Sequence, residues 1–551
     1  MNAPETTPPS PRWLSGFLAF GSALVLLLTL LLGVASVVST VGGATIWGPT
    51  TPCPTSAAVI GLSLVVLAIC LALCRILVRR SDLINLPLLE ASLAGIALLV
   101  GLWFIWVNHT ETSLFHDSLV LQQFAEHLSA GDLSDFWPHI DNYAAKAPGD
   151  LYMSIYPHQA GLLLLMTGLR CLFGSGMVKA LQVMNLLAAI GVSALLCSLA
   201  RAVERPRGER AVLALVAYGF LPNVLLSVFP YGNTIGLLLV LAASRVLLAS
   251  LRNASGARSA ALGLASGLLA LSGLMIKSTY IYLVAGVVLV ALLGCIKEKA
   301  RVRAVVLLFS TGALLALSSS VPRAGFKALV GYALPEDQPK MTWLAIGLDY
   351  QPSTDPRPGW YNPIGMDNRI RHNGNVGDEE ATAESVVLDR LGHLAGNPGY
   401  GAWFFAEKLA YEWLDPTYDS YFVASFSKMS EEDAARWGRG ADARFYPMDL
   451  TKPHGYVCLV LFIVMDACQS LLYLGAALGA RDLMREALHG GRGAALAEYA
   501  LPCVFFAGFL LYLVWEGKSM YTLPLAISLL PTAARGIATF VRRPLHRHFA
   551  Q

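Results

Sequence analysis

The chain has 551 residues, of which 55% are hydrophobic and only 14% charged, with a mean hydropathy of +0.56. A water-soluble domain carries roughly 25% charged residues, so too few are present to cover a water-facing surface and a soluble fold is excluded. The formal net charge of +3 is no nucleic-acid signature, because the basic residues fall in short clusters between long apolar runs.

A helix that crosses a bilayer needs about 20 apolar residues. In chain order the candidate spans are roughly 13–40, 55–78, 87–108, 178–200, 211–229, 232–251, 259–276, 279–296, 304–321, 455–479, 493–515 and 519–537. The first is too long for the apolar core of a secretion signal and lacks a small-residue cleavage site before the second, so we expect it to be retained. A further run, 158–175, is ambiguous. Eight of the nine cysteines (Cys70, Cys74, Cys171, Cys197, Cys295, Cys458, Cys468 and Cys503) lie in apolar runs without metal-ligand spacing and read as small buried side chains.

The connections sort by charge. Arg75, Arg79 and Arg80 follow the second span, and Arg201, Arg205, Arg207 and Arg210 lie between the fourth and fifth. Further clusters are Arg252 with Arg258, Lys297 to Arg303, Arg481 to Arg492, and Arg535 to Arg547 in the tail. Such clusters are cytoplasmic by the positive-inside rule. The opposite connections are neutral or acidic: 109–157 holds seven Asp and Glu against the single Lys146. If 158–175 crossed, every later basic cluster would lie outside. If it dips into or lies along the outer face, all of them stay inside. The expectation is therefore an all-α polytopic membrane protein with about 12 spans, one outer non-crossing helix, a large outer loop region and both termini cytoplasmic. The chain divides into an N-terminal pair of spans (1–86), a transmembrane core (87–321) containing the first outer loop 109–157, a large outer region (322–454), and three spans with a basic tail (455–551). Within the large region, Glu379–Leu394 and Tyr400–Trp413 read as amphipathic helices.

Polar residues at membrane depth are costly and are functional candidates. On this topology several share one level, the outer ends of the spans. Lys277 lies in Met275-Ile276-Lys277-Ser278-Thr279-Tyr280, Glu516 and Lys518 in Trp515-Glu516-Gly517-Lys518-Ser519-Met520-Tyr521, and Tyr231 and Asn233 in the turn after Pro230. His116 and Asp117 stand just outside the third span, and His158 opens the non-crossing helix. A carboxylate beside two ammonium groups suits a lipid-phosphate substrate: the lysines offset the phosphate charge, and the carboxylate takes a proton from an acceptor hydroxyl. Each residue also has a plainer reading. Asp117 could cap a helix, Lys277 and Lys518 could snorkel to the interface, and Glu516 could simply pair with Lys518. His139 and Asp141 belong to a loop with the donor types for a divalent cation but no fixed ligand spacing, so no metal ligand is assigned. Asp466 and Arg245, inside spans, read as contacts between helices, and Asn108-His109-Thr110 matches a glycosylation sequon.

The order of parts resembles the GT-C membrane glycosyltransferases, which include the protein O-mannosyltransferases and the lipid A aminoarabinose transferase. The residues that carry the resemblance are Asp117 at the start of an outer helix, and Tyr156-Pro157-His158 leading into an apolar helix that ends in Leu172-Phe173-Gly174. Glu516-Gly517-Lys518-Ser519-Met520-Tyr521-Thr522-Leu523-Pro524, Gly359-Trp360-Tyr361-Asn362 and Trp413-Leu414-Asp415-Pro416-Thr417-Tyr418 are similar to stretches of bacterial members. The resemblance covers the chain from about residue 87 onward. It implies a sugar donor on a polyprenyl phosphate, a cell-envelope acceptor (glycan, lipid or protein), and inverting transfer at the outer face of the plasma membrane. It also implies Asp117 as general base, with Lys277, Lys518 and Tyr521 on the donor phosphate. The competing classes are a polysaccharide ligase or polymerase, for which Arg357, Arg369 and Arg371 of the large region speak, and a transporter of lipid-linked glycans.

Overall fold

The computed structural model describes residues 12–42, 57–134, 136, 142–147, 149–252, 256–429, 445–489 and 496–543. The helices of the first half are α1 (Arg12–Gly42), α2 (Ala57–Arg79), α3 (Leu86–Asn108), α4 (His116–Ala130), α5 (Tyr152–Ile155), α6 (Ala160–Phe173), α7 (Met177–Ala202), α8 (Arg207–Tyr218) and α9 (Leu221–Leu225). Then come α10 (Asn233–Leu251), α11 (Gly256–Ile276), α12 (Ile281–Lys297), α13 (Arg301–Val330), α14 (Lys340–Leu348), α15 (Ile364–Arg371), α16 (Val376–Gly396), α17 (Pro398–Trp413) and α18 (Ser420–Ala424). The chain closes with α19 (Pro453–Leu488), α20 (Ala500–Val514) and α21 (Ser519–Arg542). Among the described residues the protein is an all-α polytopic membrane protein. Eleven helices among the described residues are long and apolar enough to cross a membrane, twelve if the bent pair Arg207–Tyr218 and Leu221–Val228 is one span.

That pair departs from the straight span expected at 211–229. It bends by 41°. Pro222 has no N–H to give the Tyr218 carbonyl four residues earlier, and its ring crowds that carbonyl, so α8 stops at Tyr218 and a new helix starts at Leu221 with Pro222 in its first turn. Two other helices overrun their expected ends: α13 continues through Pro322 to Val330, where Gly331 at φ +94° terminates it, and α19 continues to Leu488.

α1 and α19 pack antiparallel. Ala19 shares a cluster with Leu483 and Ala487, Ser36 bonds Ser470 at 2.9 Å, and Thr40 donates to Asp466 at 2.8 Å. Asp466 is thus an interhelical contact as expected, and so is Arg245, which donates to Ser198 of α7. α19 and α21 approach through glycine: a Cβ on Gly536 would lie 2.0 Å from the Gly475 carbonyl oxygen. Only small residues allow backbones this close, and in lipid such packing and polar contacts replace the hydrophobic drive.

The two ends of the bundle differ. At one end Arg201 pairs with Glu90 (2.6 Å), Arg207 donates to the Ser81 and Ile84 carbonyls, Arg205 pairs with Glu498 (2.7 Å), and Arg535 also pairs with Glu498 (3.0 Å). These contacts, together with that of Arg535 on Glu486 of α19, gather the Arg-bearing turns after α2 and α7 with the same end of α19, α20 and α21. At the other end, Gln182 and Asn185 near the start of α7 donate to the carbonyls of Val228, Phe229 and Tyr231. Gln159, just before α6, donates to the Tyr231 hydroxyl. α6 ends at Phe173 and reaches α7 through Gly174–Gly176, with Gly174 at φ +54°. Both ends of α6 therefore lie at the same end of the bundle.

The expected outer regions pack together over that end. Strands β1 (Thr110–Ser113) and β2 (Ser427–Met429) pair antiparallel with Ser113 opposite Ser427, tying the segment after α3 to the large region. α14, α16 and α17 share a small core of Ala345, Leu348, Val387, Leu394 and Phe404. Arg369, fully buried, bonds Glu379 at 2.9 Å and the carbonyls of Ser154 and Glu336. Asn108 is also fully buried, so its sequon is no glycan acceptor in the folded chain.

Candidate functional site

At this end of the bundle lies a cavity of about 810 Å³. Its floor starts with α4. Ser118 donates to the Pro230 carbonyl (3.1 Å), and Gln122 binds both the Ser118 carbonyl and hydroxyl. These bonds pin one face of α4 to the 230 turn and leave Asp117, one residue earlier, on the cavity wall. Asp117 caps nothing: the cap position is Phe115, which makes no side-chain bond. It sits instead in the first helical turn, where a negative charge is favoured.

Around Asp117 the expected residues converge, and all but one line the cavity: His116, Asp117, His158, Tyr231, Lys277, Glu516, Lys518 and Tyr521. Asn233 does not. As the first residue of α10 it is buried, and its carbonyl accepts the Tyr280 hydroxyl. The Lys277 Nζ lies 4.9 Å from the centre of the Tyr231 ring and 5.5 Å from that of Tyr521. The Lys518 Nζ lies between 5.2 and 5.7 Å from the rings of Phe115, Trp360, Tyr361 and Tyr521, and 3.7 Å from the Glu516 Oε1. Lys518 is only 6% exposed, so it does not snorkel to water. Glu516 does pair with Lys518, as its plainer reading expected. Aromatic faces attract cations without neutralising them, so Lys277 keeps its charge for an anion, whereas Lys518 shares its charge with Glu516.

Burial alone would raise the Asp117 carboxyl. The neighbouring His116, then Lys518 and Lys277, overcome this and hold it below the usual carboxylate value, so it is ionised at neutral pH. Lys277 is pushed down to about 8, chiefly by burial, with Asp117 opposing and Lys518 adding to the shift. Glu516 is raised by burial in spite of Lys518. Tyr152, Tyr156 and Tyr231 are raised well above the phenol range by burial, so they stay neutral phenols.

His158 lies on another part of the wall. Its Nδ1 is 3.8 Å from Asp337, which also holds Arg323 at 2.8 Å. Burial raises the Asp337 carboxyl, but these two partners bring it down to about 2. The large region closes the cavity with Trp343, Trp360, Tyr361 and Arg357. The Arg357 guanidinium stacks 3.3 Å above the Trp360 ring and is held at 2.6 Å by Asp355.

The turn that carries Glu516 and Lys518 is gripped from outside. The Glu516 N–H donates to the Trp343 carbonyl and the Gly517 N–H to the Gly359 carbonyl, both at 3.1 Å. Buried Lys408 donates to the carbonyls of Gly347 and Trp515, each at 2.6 Å, and lies 3.7 Å from Glu412. Asp415 accepts the Ser519 hydroxyl and Asp419 accepts the Met520 N–H, holding the first turn of α21. Sequence reasoning did not assign these four groups a site role, although Asp415 stands in one of the stretches that carried the resemblance.

No group of three or more His, Cys, Asp and Glu among the described residues is arranged to hold a metal ion. His139 and Asp141 lie outside the described residues. Comparison of the chain with known proteins found no matching family model, no matching curated protein and no matching solved structure.

Proposed function

We propose that this protein is a membrane glycosyltransferase that moves a sugar from a polyprenyl-phosphate donor to an acceptor hydroxyl at the outer membrane face. One observation carries the reading: an ionised Asp117, two ammonium groups and a wall of aromatic rings share a single cavity at the end of the bundle opposite the arginine clusters. With the arginine end cytoplasmic, the cavity faces outward. Its wall also includes Leu274, Ile281, Leu315 and Leu511, from helices that have the length and composition of spans, a surface suited to the first isoprene units of a lipid donor.

The chemistry is a displacement at the anomeric carbon. The acceptor oxygen forms the new bond as the bond to the phosphate oxygen breaks, with inversion, and the acceptor proton passes to Asp117. Lys277 and Lys518 stabilise the charge that grows on the departing polyprenyl phosphate. Glu516 orients Lys518, and the aromatic rings stack on the sugar. The large region, which grips the 516–518 turn, covers the site and reads the acceptor.

A second reading, the joining of whole glycan chains, is favoured by Arg357 on the cavity wall, although its guanidinium is already held by Asp355. The test incubates membranes carrying the protein with radiolabelled polyprenyl-phosphate sugars and separates the products by thin-layer chromatography. Loss of label from the donor as single sugar units supports the transferase. Transfer only of preassembled chains supports the second reading, and no consumption of any such donor refutes both.

A further inference from the structure

The opposite end of the bundle holds a second cavity, of about 290 Å³, that the proposed reaction does not use. Leu199 of α7, Leu248 of α10, and Val287 and Ala291 of α12 form an apolar wall, and α21 closes it with Pro531. Charged groups collect at one edge. Two of its carboxylates, Glu209 and Glu498, are already bound by Arg205, and Arg535 also binds Glu498. The two other arginines of the lining among the described residues are less committed. Arg252 donates to the Ala202 carbonyl, and Arg303 lies 3.8 Å from Glu298 with both side chains more than half exposed, a pair worth little.

An apolar slot between helices, rimmed by arginines whose charge is not taken up by buried carboxylates, matches one kind of occupant. We infer that this cleft binds a bilayer phospholipid with an anionic headgroup, its acyl chain against the α10 and α12 wall and its phosphate at Arg252 and Arg303. Basic pockets between spans recognise such headgroups by charge, and the apolar wall supplies the remaining contact. α10, α12 and α21 each run from this cleft toward the 231, 277 and 518 turns. A lipid seated here therefore braces three of the helices that carry the first cavity, with its headgroup at Arg252 about 28 Å along α10 from Asn233.

The test is native mass spectrometry of the full chain released from nanodiscs of phosphatidylglycerol and phosphatidylcholine in equal parts. Wild type is expected to retain phosphatidylglycerol in preference by roughly 30-fold, from two arginines each at the usual worth of a basic residue beside an anionic lipid. The double substitution R252Q/R303Q, at exposed positions, removes the preference. Ala291→Phe, which fills the slot, removes retention of both lipids while the melting temperature in detergent stays within a few degrees. Equal retention of the two lipids by wild type, or a preference that survives both variants, overturns the assignment.

Discussion

Gly517 offers the most direct probe of how the large region sets the geometry of Lys518. A Cβ at this position would stand 1.7 Å from the Glu412 Oε1 and 2.4 Å from its Cδ. Ordinary contact needs about 3.4 Å, so something must yield by well over an ångström. Glu412 has little room: it is 1% exposed and lies against Lys408, which two carbonyls hold. The 516–518 turn must therefore move, and Glu516 and Lys518 move with it. Overpacking of this kind costs about 1–3 kcal/mol. The experiment is a double-mutant cycle of Gly517→Ala and Glu412→Asp, read as melting in detergent by tryptophan fluorescence. Gly517→Ala alone should lower the melting temperature by a few degrees. Shortening residue 412 opens space, so the double variant should lose less than the sum, by more than the ~0.5 kcal/mol scatter of independent sites. A neutral Gly517→Ala, or strict additivity, would refute the packing argument.

Three further outcomes follow from the same structure. Burial pushes Lys277 down to about 8, so the positive charge available to a phosphate disappears as pH rises through that value. Donor affinity should fall there, and Lys277→Arg should move the fall to higher pH, measured by equilibrium binding of a labelled donor. Burial raises Glu412 to about 8 against the opposing Lys408. A group whose folded value lies above its unfolded one stabilises fully below the unfolded value, and that stabilisation is lost as pH rises through the folded one. The melting temperature should therefore fall between pH 5 and 8 in wild type, and fall less in Glu412→Gln. Finally, Arg369→Met leaves Glu379 buried without its partner, which costs about 3–5 kcal/mol, and thermal melting should show it as the largest loss among these variants.

What the sequence revealed and what it hid have physical reasons. Asp117, Lys277, Glu516 and Lys518 could be found because a charged side chain beside a long apolar run is conspicuous, and the arginine clusters placed all four at one end. Helices α16 and α17 could be read from their periodicity. Lys408 and Glu412 could not, because their meaning comes from contacts distant in sequence: Lys408 bonds the carbonyl of Trp515, 107 residues away. On an amphipathic helix such residues look like a solvated pair. Asn233 misled for the converse reason. It is two residues from Tyr231, but as the first residue of α10 it is buried and does not line the cavity. The break before Leu221 followed from Pro222, which an apolar run conceals.

The proposed reaction divides labour within one cavity, with Asp117 taking the proton and Lys277 and Lys518 holding the phosphate. It is tested by measuring donor binding and single-turnover transfer together in purified wild type, Asp117→Asn and the double variant K277Q/K518Q. Asp117→Asn should bind donor as wild type does and transfer at least about 100-fold more slowly, the usual worth of a positioned general base, while the lysine variant should lose binding. Transfer at the wild-type rate by folded Asp117→Asn, or undiminished donor binding without both lysines, contradicts that division.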